Sequence, residues 1–143
     1  MKKSILSIIS IFIIVLCIVF VNFKVAEQKR LEAKKFNSVY EEYNKDNLNG
    51  LDITTVINKA INNNEKYGID KDVDKMYIND NEYCVKIYIK MIINNKIYSM
   101  ERINEVGMDS FIENFGIVGF KCTDIKYHEN GRVSEMTFEA TEY

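Results

Sequence analysis

The chain has 143 residues, a formal net charge of −2, three cysteines, one histidine, and neither proline nor tryptophan. The charge is unevenly spread, because residues 36–143 hold 12 Lys and Arg against 19 Asp and Glu, a formal −7. Such an acidic region repels nucleic-acid phosphates, which argues against DNA or RNA as a partner, and about 105 residues suffice for one hydrophobic core, not two.

Met1-Lys2-Lys3 forms a basic head at 1–3, followed by an uncharged run at 4–23, SILSIISIFIIVLCIVFVNF. As a helix rising ~1.5 Å per residue, the run spans ~30 Å, about one hydrocarbon core. A removable signal peptide has a shorter apolar region of ~7–15 residues and a small-x-small cleavage site. The exit Val21-Asn22-Phe23-Lys24-Val25-Ala26 offers no such pair. A lipoprotein cysteine follows a small residue, whereas Cys17 follows Val15-Leu16. The expectation is an uncleaved transmembrane helix with the lipid bilayer as its first partner. Ser4, Ser7, Ser10 and Cys17 share one helical stripe, so Ser7, Ser10 and Cys17 are candidates for self-association. The alternative is that Ser is simply tolerated near a helix start.

From Lys24 the pattern stays helical, with no Gly or Pro before Gly50 and with Leu31, Phe36, Val39, Tyr40 and Tyr43 at helical spacing. Glu27 and Arg30, Glu32 and Lys35, and Glu41 and Lys45 form supporting i,i+3 or i,i+4 pairs. A stalk helix is expected over 24–48, ending at Asn49-Gly50. With no proline, where ~7 would be usual, and no Gly/Ser tract, the stalk should be stiff and the 49–143 domain close to the bilayer. The stripe Phe36, Tyr40, Tyr43 either docks a partner or packs on the domain's own sheet.

Asp52 begins a second helix with Ile53, Val56, Ile57, Ala60 and Ile61 on one face, ending at Tyr67-Gly68. Strands follow. A turn at Asp80-Asn81 pairs Ile78 with Tyr83 and Met76 with Val85. A turn at Asn94-Asn95 pairs Ile89 with Met100 and Met91 with Tyr98. Asp109 to Phe115 reads as a short helix with Phe111, Ile112 and Phe115 inward. Asn130-Gly131 is a two-residue hairpin signal. It pairs Tyr127 with Ser134, Ile125 with Met136 and Thr123 with Phe138 on one face. Lys126–Glu135, Asp124–Thr137 and Cys122–Glu139 then share the other face. The fold class is α+β: a three-stranded antiparallel meander plus a hairpin, with helices covering one sheet face.

Sites are sparse. Cys84 and Cys122 fall on outer strand faces in this pairing, as two free thiols or, if the strands adjoin in an exported domain, a disulfide. No Cys/His spacing suits zinc. Asp70-Lys71-Asp72-Val73-Asp74 resembles the first half of a calcium loop but has Lys75 at the glycine position and Asn81 at the glutamate position, so a solvated acidic linker is expected. His128, beside Glu129, reads as an exposed strand end with no nucleophile or orienter. Glu101, Glu135 and Glu139 have no partner that would make them hydrolase acids, and no phosphate loop or nucleophile elbow occurs. No enzyme, cofactor or metal is expected.

Phe36-Asn37-Ser38-x-Tyr40-Glu41-x-Tyr43, Gly50-x-Asp52, Ile57-Asn58-Lys59-Ala60-Ile61 and Asn63-Asn64-Glu65-Lys66 resemble an uncharacterised family of short single-pass membrane-anchored proteins from Firmicutes. Ile87-Tyr88-Ile89-Lys90-Met91, Phe120-Lys121-Cys122-Thr123-x-Ile125-x-Tyr127-His128 and Phe138-Glu139 extend the likeness over about 36–139. It implies topology and no activity. In architecture alone, a hydrophobic helix entering an antiparallel sheet is similar to type IV pilins and pseudopilins. Those carry a leader ending in glycine and a glutamate five residues into the mature helix. Here no glycine precedes Gly50 and no acid precedes Glu27.

Orientation follows from two opposed signals. Lys24, Lys29, Arg30, Lys34 and Lys35 after the segment favour a cytoplasmic domain by the positive-inside rule. A short basic head before an apolar run is the form of a signal-anchor, and with the resemblance it favours a domain outside the cell membrane. The expected function is a non-catalytic binding or structural component of the cell envelope, contacting another envelope protein or itself. The alternative is a pilin-like assembly subunit.

Overall fold

The computed structural model describes residues 2–92 and 95–141, with side chains from Ile8 onward. Helix α1 (Lys2–Glu41) is continuous, and the helix from Ile8 to Glu41 is long and apolar enough to cross a membrane, with none of its most apolar stretch buried. α1 ends before the expected Leu48. Tyr43 and Asn44 close a tight turn onto Tyr40 and Glu41, and Leu48 exchanges backbone bonds with Phe120 at 3.0 and 2.8 Å. That turn swings Tyr43 and Leu48 into the core, where both are buried.

Asn49-Gly50 does not end the first helix but begins the second, α2 (Gly50–Lys66). The Asn49 side chain accepts from Leu51 and Asp52, while Asp52 accepts from the Asn49 N–H, a reciprocal capping box. Ile53, Val56, Ile57, Ala60 and Ile61 are all buried, as their spacing predicts. Gly50 packs so tightly that a Cβ there would lie 2.2 Å from the Phe115 carbonyl oxygen.

The remaining elements are β1 (Lys86–Met91), β2 (Lys96–Ser99), α3 (Met100–Val106), α4 (Met108–Phe115), β3 (Phe120–Tyr127) and β4 (Val133–Ala140). The α+β class holds, but the sheet is a single mixed one of four strands in the order β2-β1-β4-β3, with β1 and β4 parallel. No strand forms over 76–79. Its backbone is claimed elsewhere, Tyr77 N–H by Glu101 Oε1 and Ile78 N–H by the Asp70 carbonyl. The Asp80-Asn81 pairing is also absent, because Asn81 turns back to accept from Tyr83 and Cys84 N–H. β1 and β2 do pair antiparallel, but two residues out of the expected register, with Ile89 opposite Tyr98 and Met91 opposite Lys96. A slip of two keeps every side chain on its face. Met100 opens α3, capped by the Ser99 hydroxyl, instead of extending the strand. Of the Asn94-Asn95 turn, Asn94 lies outside the described residues.

The β3–β4 pairing matches expectation at its centre: Asp124–Thr137, Ile125–Met136 and Lys126–Glu135. It departs at both ends, where irregularities put Cys122 opposite Phe138 and Tyr127 opposite Val133, leaving Thr123 and Ser134 unpaired. The cause at the tip is the turn. Glu129-Asn130-Gly131 makes a three-residue loop closed by His128 N–H to Arg132 O, with Gly131 at φ 82°, instead of a two-residue turn. The Thr123 bulge moves Cys122 from the expected outer face onto the edge of the core. α4 occupies the helix predicted at 109–115, with Phe111 buried.

All helices pack on one sheet face. Ile53, Val56, Ile57 and Ala60 meet Ile87, Ile89, Met136 and Phe138, each fully buried. The opposite face carries a charged ladder, including Lys126–Glu135 at 2.6 Å and Lys90–Glu139 at 3.3 Å.

Three outcomes test this packing in the detergent-solubilised chain by urea denaturation. Ile89→Asp should unfold it, since an unpaired buried carboxylate costs several kcal/mol against a stability of ~5–15. Lys90→Asp should cost no more than about 1 kcal/mol, the worth of a part-exposed pair. Gly50→Ala should lower the midpoint markedly, because its Cβ must displace backbone and not a flexible side chain.

Candidate functional site: the anchor joint and the distal groove

Where α1 meets the domain, one amide does most of the joining. Asn37 Nδ2 donates to the Gly131 carbonyl and Asn37 Oδ1 accepts from Val133 N–H, both at 2.8 Å. A single side chain thus satisfies a donor and an acceptor at the hairpin tip, as a neighbouring strand would. Ala33, one turn earlier, is buried beneath that tip.

Arg132 completes the joint. It is 7% exposed, with its guanidinium carbon 4.1 Å from the Tyr83 ring centroid and 5.9 Å from that of Phe36. Its Nη1 lies 3.0 Å from Glu82 and its Nη2 3.6 Å from Glu32 of α1. Its buried Nε has no hydrogen-bond partner among the described residues. Cation–π contact and two carboxylates offset a desolvation that would otherwise be costly. Asn130 donates to Glu82 at 2.8 Å, and Tyr83 stacks on Tyr67 with centroids 4.1 Å apart. The joint therefore binds α1, the end of α2, the 81–84 turn and the β3–β4 tip. Asn63 and Asn64 serve the same end: Asn63 donates to the Tyr83 carbonyl, and buried Asn64 both donates to and accepts from the Val85 backbone.

The aromatic stripe belongs to this interior. Tyr40 and Tyr43 are buried and Phe36 is partly buried against the core, so the first two are not available to a partner. Burial raises the Tyr40 hydroxyl well above its ordinary range. Ser10 and Cys17 are exposed along the apolar part of α1, and the Ser7 side chain lies outside the described residues. Cys84 and Cys122 are free thiols. Cys84 is fully buried, not on an outer face, because β1 begins only at Lys86, and burial pushes its thiol up to about 11. His128 is half-buried instead of exposed, with Nε2 2.8 Å from the Cys84 carbonyl. Asp72 spends one carboxylate oxygen on the N–H groups of Asp74 and Met76, which makes this stretch a self-closed turn. Among the described residues no group of three metal-ligating side chains gathers.

The other end of the domain is apolar. The chain passes Val133 at Asn37, Cys122 at Lys45 and Phe120 at Leu48, so it climbs the hairpin from its tip to its far end. β1, parallel to β4, points the same way and finishes at Met91. There a groove of about 370 Å³ opens between α3, α4 and the β1–β2 edge, lined by Met91, Tyr98, Ile103, Val106, Phe111 and Phe115 among others. Val106 in this lining is exposed, as are Ile117 after α4 and Ile97, which lies opposite Lys90 on the charged sheet face.

No family model, curated protein or solved structure matches this chain.

The joint makes a pH prediction. Hydrogen bonds from Asn130 and then Arg132 hold the Glu82 carboxyl below its ordinary 4.5. Its folded value is depressed, so its contribution is complete above the ordinary carboxylate range and is lost as pH falls through that lower value. Thermal melting across pH 3 to 7 should show a fall at the acid end that is shallower in Glu82→Gln, the two chains converging once Glu82 is protonated.

Proposed function

We propose that this is a single-pass membrane-anchored, non-catalytic domain that holds a binding surface at a fixed height above the cell membrane, facing outward, as a component of the envelope. The observation that carries the reading is the continuity of α1. Its apolar part is uncovered, and its last turns are built into the domain through Ala33, Asn37 and Tyr40. A helix shared by bilayer and core transmits position without slack. The distal groove, with exposed Val106 in its lining, is the surface such an arrangement presents to another envelope protein or a second copy.

A pilin-like role rests on the same continuous helix entering a sheet domain. It requires leader cleavage, whereas the anchored reading leaves Met1 in place or removes it alone.

Carbonate-washed membranes should retain the full chain, and mass spectrometry should recover residues 4–23 in the mature protein. A soluble form starting near Ala26 would sink the anchor. Sidedness needs a new thiol, because Cys84 is buried and burial also raises the Cys122 thiol. Val73→Cys, at a fully exposed position, should react with an impermeant maleimide on wall-stripped intact cells. Reaction only after lysis would place the domain in the cytoplasm.

A further inference from the structure

Between the base of α1 and the hairpin tip lies a second, more open cleft of about 550 Å³, running from Ala26 up to Asn37 and across to Asn130 and Gly131. Its α1 wall carries Lys29, Arg30 and Lys34, all exposed. Among the described residues none of the three forms an ion pair. Height matters here. Phe23 ends the apolar run, so Lys29 and Arg30 stand ~9–10 Å above the hydrocarbon edge at ~1.5 Å per residue. The headgroup layer extends roughly 5–8 Å beyond that edge. Lysine and arginine stems are long enough to bring their charged ends down into it. The cleft's acids, Glu41 and Glu129, lie at its upper end and on the hairpin, which leaves the lower part positive beneath a domain that is otherwise acidic.

We infer that the lower part of this cleft is a binding site for an anionic phospholipid headgroup of the same bilayer, with Lys29 and Arg30 as its phosphate contacts and Lys34, ~16 Å above the hydrocarbon edge, adding positive charge from above. The inference rests on the anchored reading above. Unpaired cations that close to a membrane gain roughly a fivefold preference for anionic lipid each. The hairpin tip, which meets α1 at Ala33 and Asn37, roofs the site from ~15–21 Å above the hydrocarbon edge.

The test uses the full chain in nanodiscs of phosphatidylcholine and phosphatidylglycerol, with retained lipid measured by native mass spectrometry. The wild-type chain should keep phosphatidylglycerol selectively. The Lys29→Gln/Arg30→Gln/Lys34→Gln variant should lose that selectivity by about an order of magnitude, while Lys45→Gln/Lys66→Gln/Lys121→Gln, removing equal charge from the domain, should retain it. A chain that enters the discs without preferring phosphatidylglycerol overturns the lipid site alone, as does equal loss in both variants. A chain that stays out of the discs overturns the anchor and the lipid site together. A parallel detergent titration with inorganic phosphate should show no saturable binding. Saturation there, lost in the first variant, would make free phosphate the ligand and overturn the lipid assignment.

Discussion

A helix of 40 residues projecting from a small domain is a long lever, and everything above depends on what stops it from pivoting. The answer is the grip of α1 on the β3–β4 tip. Asn37 supplies direction, because its amide must align with two backbone groups at once. Arg132 supplies resistance, because displacing α1 would remove Glu32 and Phe36 from a guanidinium that is already out of water. Displacing α1 would leave that guanidinium out of water with fewer partners, a state that is costly because desolvated charge is no longer offset. The absence of proline and of any Gly/Ser tract between residues 24 and 48 fits the same logic. A flexible spacer would make the grip pointless.

The joint also decides what the opposite end is free to do. Polar residues that fix orientation are concentrated at the tip nearest the apolar part of α1, in Asn37, Glu82, Asn130 and Arg132. Apolar side chains line an open groove at the far end, between α3, α4 and the β1–β2 edge. A charged ladder covers one sheet face and helices cover the other, which leaves that groove as the opening onto the apolar interior. Division of this kind suits a surface whose aim matters.

Much of this was legible in the residues. The α2 face, the α4 helix, the inward Ile89 and Met91, and the centre of the β3–β4 register all follow from periodicity and turn chemistry. Three of the errors share one cause, which is asparagine. Asn49 capped a helix where a helix end was expected, Asn81 folded back on its own backbone, and Asn130 joined a three-residue loop. Each of these side chains chooses among local hydrogen bonds of similar strength, and tertiary packing makes the choice. The joint itself was invisible for a related reason. Asn37, Glu82 and Arg132 are far apart in the chain, and no spacing rule brings them together. Arg132 carries no local signal beyond being an arginine that follows an Asn-Gly turn. The parallel β1–β4 pairing was missed because consecutive strands with short connections suggest a meander, and nothing local announces a crossover.

That crossover has a temporal consequence. β4 is the last of the described elements in the chain, yet it lies inside the sheet and takes part in two of its three strand pairings. The residues that seize α1, from Gly131 to Val133, arrive with it. Until that final stretch is available, β3 has no partner, β1 has only the short β2, and α1 has nothing to hold. The N-terminal helix is therefore synthesised long before its own domain can exist. Folding must wait on non-local pairing across most of the sequence, a slow kind of assembly, and the growing chain passes through synthesis with its apolar β1 strand uncovered. Insertion of α1 in a bilayer, the reading proposed above, would keep such a chain dilute and in one place while it waits, so that the helix would guard the domain's folding before it positions the folded form.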